Sequence, residues 1–152
     1  MRVMEEKMEL SLESQLKNKI SDMYTSLSPV NEQDKITLYN VLQNCDKAVA
    51  DCLDTPIHLR NVVAQKYNKV DDVTGEVTEN VRTILIDEDG TSYGSASKGL
   101  FNSLTMLFST FGMPDTWTKS IPIKVVETKT RKGQKTFTIK VLQEPTNNAL
   151  EV

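Results

Sequence analysis

The stretch DEDGTSYGSASKGLFNSL, residues 87–104, decides how this chain folds. It packs an Asp-Gly turn, a Tyr between two glycines, a run of small residues and the start of an apolar period into one short segment. Asp-Gly between apolar runs is a strong hairpin signal, because glycine takes the positive φ of a tight turn at no steric cost. The run VTENVRTILIDE before it therefore pairs with TSYGS after it. Downstream, Leu100, Phe101, Leu104, Leu107, Phe108 and Phe111 recur at helical spacing, with Ser95 or Ser97 as N-cap and Gly112 as the stop. That spacing predicts a helix with a broad apolar face that plugs a sheet.

Further out, PIHLRNVVAQKYNKV alternates imperfectly, with Ile57, Leu59, Val63 and Tyr67 against His58, Arg60, Val62 and Lys66. It joins VTENVRTILIDE through DDVTGE, a second hairpin. After the helix, SIPIKVVETKT and QKTFTIKVL alternate cleanly on either side of an Arg131-Lys132-Gly133 turn. KITLYNV, from Lys35, reads as a short strand, and NCDKAVADCLD as a loop with a short helical turn. Met4, Met8, Leu12, Leu16, Ile20, Met23 and Leu27 step by four and three with charges between them, which predicts an amphipathic helix ending near Ser28-Pro29. The order is a helix, three or four strands, a helix and two strands. It predicts a mainly β chain with helices, of α+β class: an OB-fold-like curved five-stranded sheet or barrel with one inserted helix and an extra N-terminal amphipathic helix. Three parts follow: the helix in residues 1–30, an OB-like domain in 31–143 and a tail in 144–152.

At 152 residues and 38% hydrophobic content, the chain has material for one core. It shows no apolar run of membrane-spanning length, and its first residues mix acids with apolar side chains where a secretory signal needs a continuous apolar stretch. These features predict a soluble, cytoplasmic protein with no membrane contact. Cys45 and Cys52 match no zinc or redox spacing and read as free structural thiols.

Catalytic constellations are sparse. The one histidine, His58, sits inside an alternating strand. Ser95-Ala96-Ser97-Lys98 fits the S-x-x-K pattern of serine acyl-enzymes, but their S-D-N and K-T-G elements are missing and a helix cap explains both serines. The glycines are not spaced as a P-loop, and the acidic pairs fall in turns. The expectation is a non-enzymatic protein with no cofactor, no metal and no catalytic residues.

Charge is uneven. Residues 1–55 carry six basic and ten acidic side chains, whereas residues 56–143 carry twelve and nine. Within residues 124–140, Lys124, Lys129, Arg131, Lys132, Lys135 and Lys140 face Glu127 alone. Such a strip is either a solvated edge protected by lysines or a track for phosphates. Binding a single strand asks for such cations together with aromatic faces on which bases stack. Aromatic rings lie beside basic or small residues in Lys66-Tyr67-Asn68-Lys69, Ser92-Tyr93-Gly94, Trp117-Thr118-Lys119 and Lys135-Thr136-Phe137. Tyr93, between small neighbours, would be open to a flat base.

These residues resemble a known family. Tyr67, Thr83-Ile84, Asp89-Gly90-Thr91, Tyr93, Ser97-Lys98, Ile123-Lys124-Val125-Val126 and Lys132-Gly133 follow one another as in the single-stranded DNA-binding proteins of small protein-primed phages of Gram-positive bacteria. The resemblance runs from about Val63 to Leu142, and D-G-x-x-Y-x-x-x-S-K is its most specific element. It implies an OB-like protein that coats and protects single-stranded DNA during phage or mobile-element replication in a bacterial host cell, without sequence preference. The candidate nucleic-acid contacts are Tyr67, Tyr93, Lys66, Lys69, Lys98, Lys124, Lys129, Arg131, Lys132, Lys135 and Trp117. Single-stranded RNA is not separated from DNA by these features. A protein-interaction factor, docking a host or replisome partner through its N-terminal helix, is the alternative of a different class. Self-association through residues 4–27 is a further expectation.

Overall fold

The computed structural model describes residues 23–143. Its strands are β1 (Met23–Thr25), β2 (Lys47–Ala48), β3 (Ile57–Val70), β4 (Val77–Asp87), β5 (Ser92–Ser95), β6 (Ile121–Lys129) and β7 (Lys135–Val141). Two α-helices interrupt them, α1 (Glu32–Gln43) and α2 (Lys98–Phe111). All seven strands join one sheet of order β2-β5-β4-β3-β6-β7, with β1 also paired to β3. The sheet is curled, and one edge of β3 serves two partners. Leu59 and Ile57 pair with β6, and Val63 to Gln65 pair with β1.

The three hairpins lie where the turn residues put them. Asp71 closes the β3–β4 turn, its Oδ1 accepting from the Val73 and Thr74 amides at 2.8 and 3.0 Å. Asp87 closes the β4–β5 turn around Gly90, whose φ is 90°. The imperfect alternation of β3 also has a cause. Its register against β4 shifts between Leu59 and Asn61, a bulge that re-phases the side chains and brings Leu59 and Val62 into one core, while Val63 beside them enters the core of the other face.

Both faces of the central strands are covered, giving two cores. On one face Leu59, Val62, Leu85, Ile123 and Val125 meet Leu100, Leu104 and Leu107 of α2 together with Trp117. Each of those leucines contributes about 2 kcal/mol by leaving water. Ser97 caps α2, its Oγ accepting from the Leu100 amide at 3.2 Å, and the Trp117 indole N–H closes the other end on the Phe111 and Gly112 carbonyls at 3.2 and 3.0 Å. The first turn of α2 crosses β7 at Gly99. A Cβ there would strike Thr136 Oγ1 and lie 2.9 Å from the Phe137 carbonyl oxygen, so the crossing needs glycine. On the opposite face Val63, Ile84 and Ile86 meet Leu27 and Val41, with Leu38, Leu42 and Cys45 packed alongside.

Three sequence expectations are corrected here. KITLYNV is not a strand but the body of α1. Asn31 caps it by accepting from the Asp34 amide at 3.1 Å, while Asp34 reaches back to the Ser28 amide at 2.8 Å. The decisive apolar set is Leu38, Val41, Leu42 and Cys45, spaced for a helix, and not the shorter alternation of Ile36 with Leu38. The amphipathic helix expected over residues 4–27 does not reach Leu27: Met23–Thr25 is a strand and Leu27 a core residue, while residues 4–22 lie outside the described residues. The sheet, finally, has seven strands and not five, because the two short strands β1 and β2 add to its edges. The expected tail, residues 144–152, also lies outside the described residues.

Candidate nucleic-acid interface

Past the covered centre, β3 and β4 continue as an exposed two-stranded ribbon. Tyr67 pairs with Asn80, and Lys69 with Thr78. Alternation puts Tyr67 and Lys69 on the face that α1 covers further along, the face that also carries Arg82. Lys66 points to the other face, where its ammonium lies 3.8 Å from Glu79. Tyr67 is 41% exposed.

Tyr67 and Arg82 form part of the wall of an open groove of about 840 Å³, which Cys45, Lys47, Cys52 and Ala96 share. The β2–β5 pairing builds it, since Lys47 sits in parallel register with Tyr93. Asp46 clips the two strands, its carboxylate accepting from the Ser92 amide at 3.0 Å. The Arg82 guanidinium donates to the Leu42 carbonyl at 2.8 Å and the Val41 carbonyl at 3.3 Å, so it closes the negative end of α1 while keeping its charge at the groove.

A second groove, of about 730 Å³, lies between the start of α2 and β7. Lys98 and Lys135, far apart in sequence, both line it. Residues 95–98 connect the two grooves: Ser95 and Ala96 line the first, Ser97 and Lys98 the second.

The β6–β7 hairpin holds the basic strip. Register places Lys124 directly opposite Lys140, and Lys129 directly opposite Lys135. Like charges facing each other across a sheet are destabilising. Asp54 relieves Lys124 at 3.9 Å and Glu127 relieves Lys135 at 3.8 Å. Lys129, Arg131 and Lys132 make no ion pair among the described residues. Arg131 and Lys132 occupy the exposed tip, held by the Gly133 amide donating to the Thr130 carbonyl at 2.8 Å.

Two candidates stand elsewhere. Tyr93 is 6% exposed and Trp117 9%, both packed into the α2 core. The Tyr93 hydroxyl donates to Asp87 at 3.2 Å, and the Lys47 ammonium sits 5.8 Å from its ring centroid. Burial first, and then the Asp87 charge, push its phenol up to about 12. Neither ring offers an open face to a base. The D-G-x-x-Y-x-x-x-S-K element is thus a turn, a buried anchor and a helix cap followed by an exposed lysine. Lys47 and Arg82, which line the first groove, were not among the candidates drawn from the sequence. Arg82 was open to inference, because a turn centred on DDVTGE fixes the register and sets Arg82 two residues from the partner of Tyr67. Lys47 was not, since its place depends on a long-range parallel pairing.

Among the described residues, no helix is long and apolar enough to cross a membrane, and no three metal-ligating side chains come together. The sequence model of the family described as "Phage Single-stranded DNA-binding protein" matches residues 18–142. A protein named "Single-stranded DNA-binding protein", from Bacillus phage GA-1, is 22% identical over 109 residues, covering 68% of this chain and 64% of its own length. The chain thus spans a little under two thirds of that relative. No solved structure matches. With the family's pattern running through every element from β1 to β7, the chain belongs to the phage single-stranded DNA-binding protein family.

Proposed function

We propose that this protein binds single-stranded DNA without sequence preference and coats it during phage replication in the cytoplasm of the bacterial host. The observation that carries the reading is the β6–β7 hairpin. Two opposed lysine pairs, each with a carboxylate on one member only, and a cationic tip gather more positive charge than the hairpin neutralises, and a polyanion supplies the balance. Exposed Tyr67 supplies a ring face, and flat faces with cations bind bases of any identity. The fold is that of an open OB-type barrel, a reading supported by the order of its parts: the β3–β4–β5 meander, a helix, then β6 returning to β3. Self-association, expected through residues 4–27, falls to residues 4–22 once Met23–Thr25 and Leu27 belong to the fold, and sedimentation of a chain starting at Asp22 tests it.

Fluorescence anisotropy with labelled oligo-dT, the matching duplex and the matching RNA, at two salt concentrations, tests the central reading. Oligo-dT should bind more tightly than duplex, with affinity falling as salt rises. Equal binding to duplex removes the single-strand reading, and tighter binding to RNA makes RNA the ligand.

A further inference from the structure

The two grooves are neighbours through consecutive residues, and each holds cations that the fold brings from distant parts of the chain. We propose that a single strand follows one continuous path. It starts in the first groove beside Tyr67, passes over Cys45 and Cys52, crosses residues 95–98 and enters the second groove between Lys98 and Lys135. This path rests on the single-strand reading given above.

Several observations point the same way. The first groove has the mixed character that a nucleotide needs: a ring in Tyr67, cations in Lys47 and Arg82, and apolar floor in Ala48 and Gly94. One of its acids, Asp46, turns its carboxylate to Ser92 and is engaged there. The linker between grooves is built of small residues, Ser95, Ala96 and Ser97, so the linker itself raises no bulky side chain across the path. Gly94 is pressed against Cys45, where a Cβ would come within 2.9 Å of Sγ, and this keeps the first groove low beside the thiol. The second groove adds Lys98 and Lys135 along the edge of the basic hairpin, where Lys135 already faces Lys129.

The protein carries its own probes for this path. Cys45 and Cys52 are free, half-buried thiols, and both line the first groove. A strand lying over them should shield them from iodoacetamide. With oligo-dT at about ten times its Kd, alkylation of both should slow about ten-fold, the fraction of protein left free. The second groove is read with Asn102→Cys, an exposed lining position, in a Cys45→Ser/Cys52→Ser background; its thiol should be protected to the same extent. Glu32→Cys in that background, at the exposed start of α1, should react at an unchanged rate.

Binding by anisotropy with unchanged reactivity of Cys45 and Cys52 overturns the path and leaves the single-strand reading intact. Protection of one groove alone also overturns it. An oligo-dT that produces no anisotropy change overturns both together. The wild-type thiols need no substitution, so the first arm does not depend on a variant that folds.

Discussion

The Asp87 carboxylate accepts from the Asp89 and Thr91 amides at 2.9 Å through one oxygen and from the Tyr93 hydroxyl at 3.2 Å through the other. One side chain thereby fixes the turn and the anchor that follows it. Removing the hydroxyl in Tyr93→Phe should cost about 1–3 kcal/mol of stability, as for a hydrogen bond to a charged group. Oligo-dT affinity at equal folded fraction should stay unchanged, and a loss of affinity without a loss of stability would return Tyr93 to the binding surface. The same group predicts a pH response. Its phenol is held near 12 in the native state against 10 in the unfolded chain. Between those values the unfolded state has lost its proton while the native state keeps it, so this contribution is complete below pH 10 and is lost as pH rises towards 12. Thermal melts across that range should fall more steeply for the wild type than for Tyr93→Phe. Tyr67 contrasts with it. It is 41% exposed on a two-stranded ribbon, so Tyr67→Ala should leave the melting temperature nearly unmoved. Binding should drop by about 1–3 kcal/mol, with Tyr67→Phe restoring most of it. In sequence both tyrosines have small or polar neighbours, and what separates them is which face of its strand each occupies and what covers it.

At the scale of elements, the β6–β7 hairpin sets function against stability. Lys140→Glu would face Lys124 as an opposite charge, and Lys129→Glu would face Lys135. Each should stabilise the free protein by at most about 1 kcal/mol, roughly 2–4 °C in melting temperature, while weakening oligo-dT binding. Changes in the same direction for both quantities would mean that the lysines only solvate an edge. If three or four hairpin cations engage phosphate, the logarithm of affinity should fall against log salt with a slope of about −2 to −3, near −0.7 per contact. Replacing Arg131, Lys132 and Lys135 by Ala should flatten it. The hairpin and α2 were legible in the sequence because local signals agreed: clean alternation around Arg131-Lys132-Gly133, and a serine cap, apolar period and glycine stop around Leu100 to Phe111. For α1 the local signals conflicted. Ile36, Thr37, Tyr39 and Val41 favour a strand, and the Asn31–Asp34 cap with packing of Leu38 and Val41 beneath the sheet overrides them.

Across the whole molecule, the sheet starts earlier in the chain than the turn residues suggest. Three residues of β1 hold an edge of β3 that β6 leaves open, and the next segment ties the junction down. Ser26 donates through its hydroxyl to Asn61 Oδ1 at 3.0 Å and accepts from the Val62 amide at 3.0 Å, while Leu27 is 5% exposed in the core under α1. None of this is readable locally, because Met23 and Leu27 also continue the four-and-three period of the residues before them, and only the pairing with Val63 to Gln65 breaks it. A truncation at Asn31, the natural choice from sequence, therefore cuts into the fold. Compared with a chain starting at Asp22, it gives up β1, the Ser26 bonds and Leu27. Loss of the leucine alone should cost about 2–5 kcal/mol, as for a large-to-small change in a core. Urea unfolding of the two chains measures the difference as a shift in midpoint. Leu27→Ala in the full-length chain should reproduce a good part of it. Equal midpoints for the two truncations would mean that the sheet and the α1 core stand without residues 22–30, and that β1 is an accessory strand.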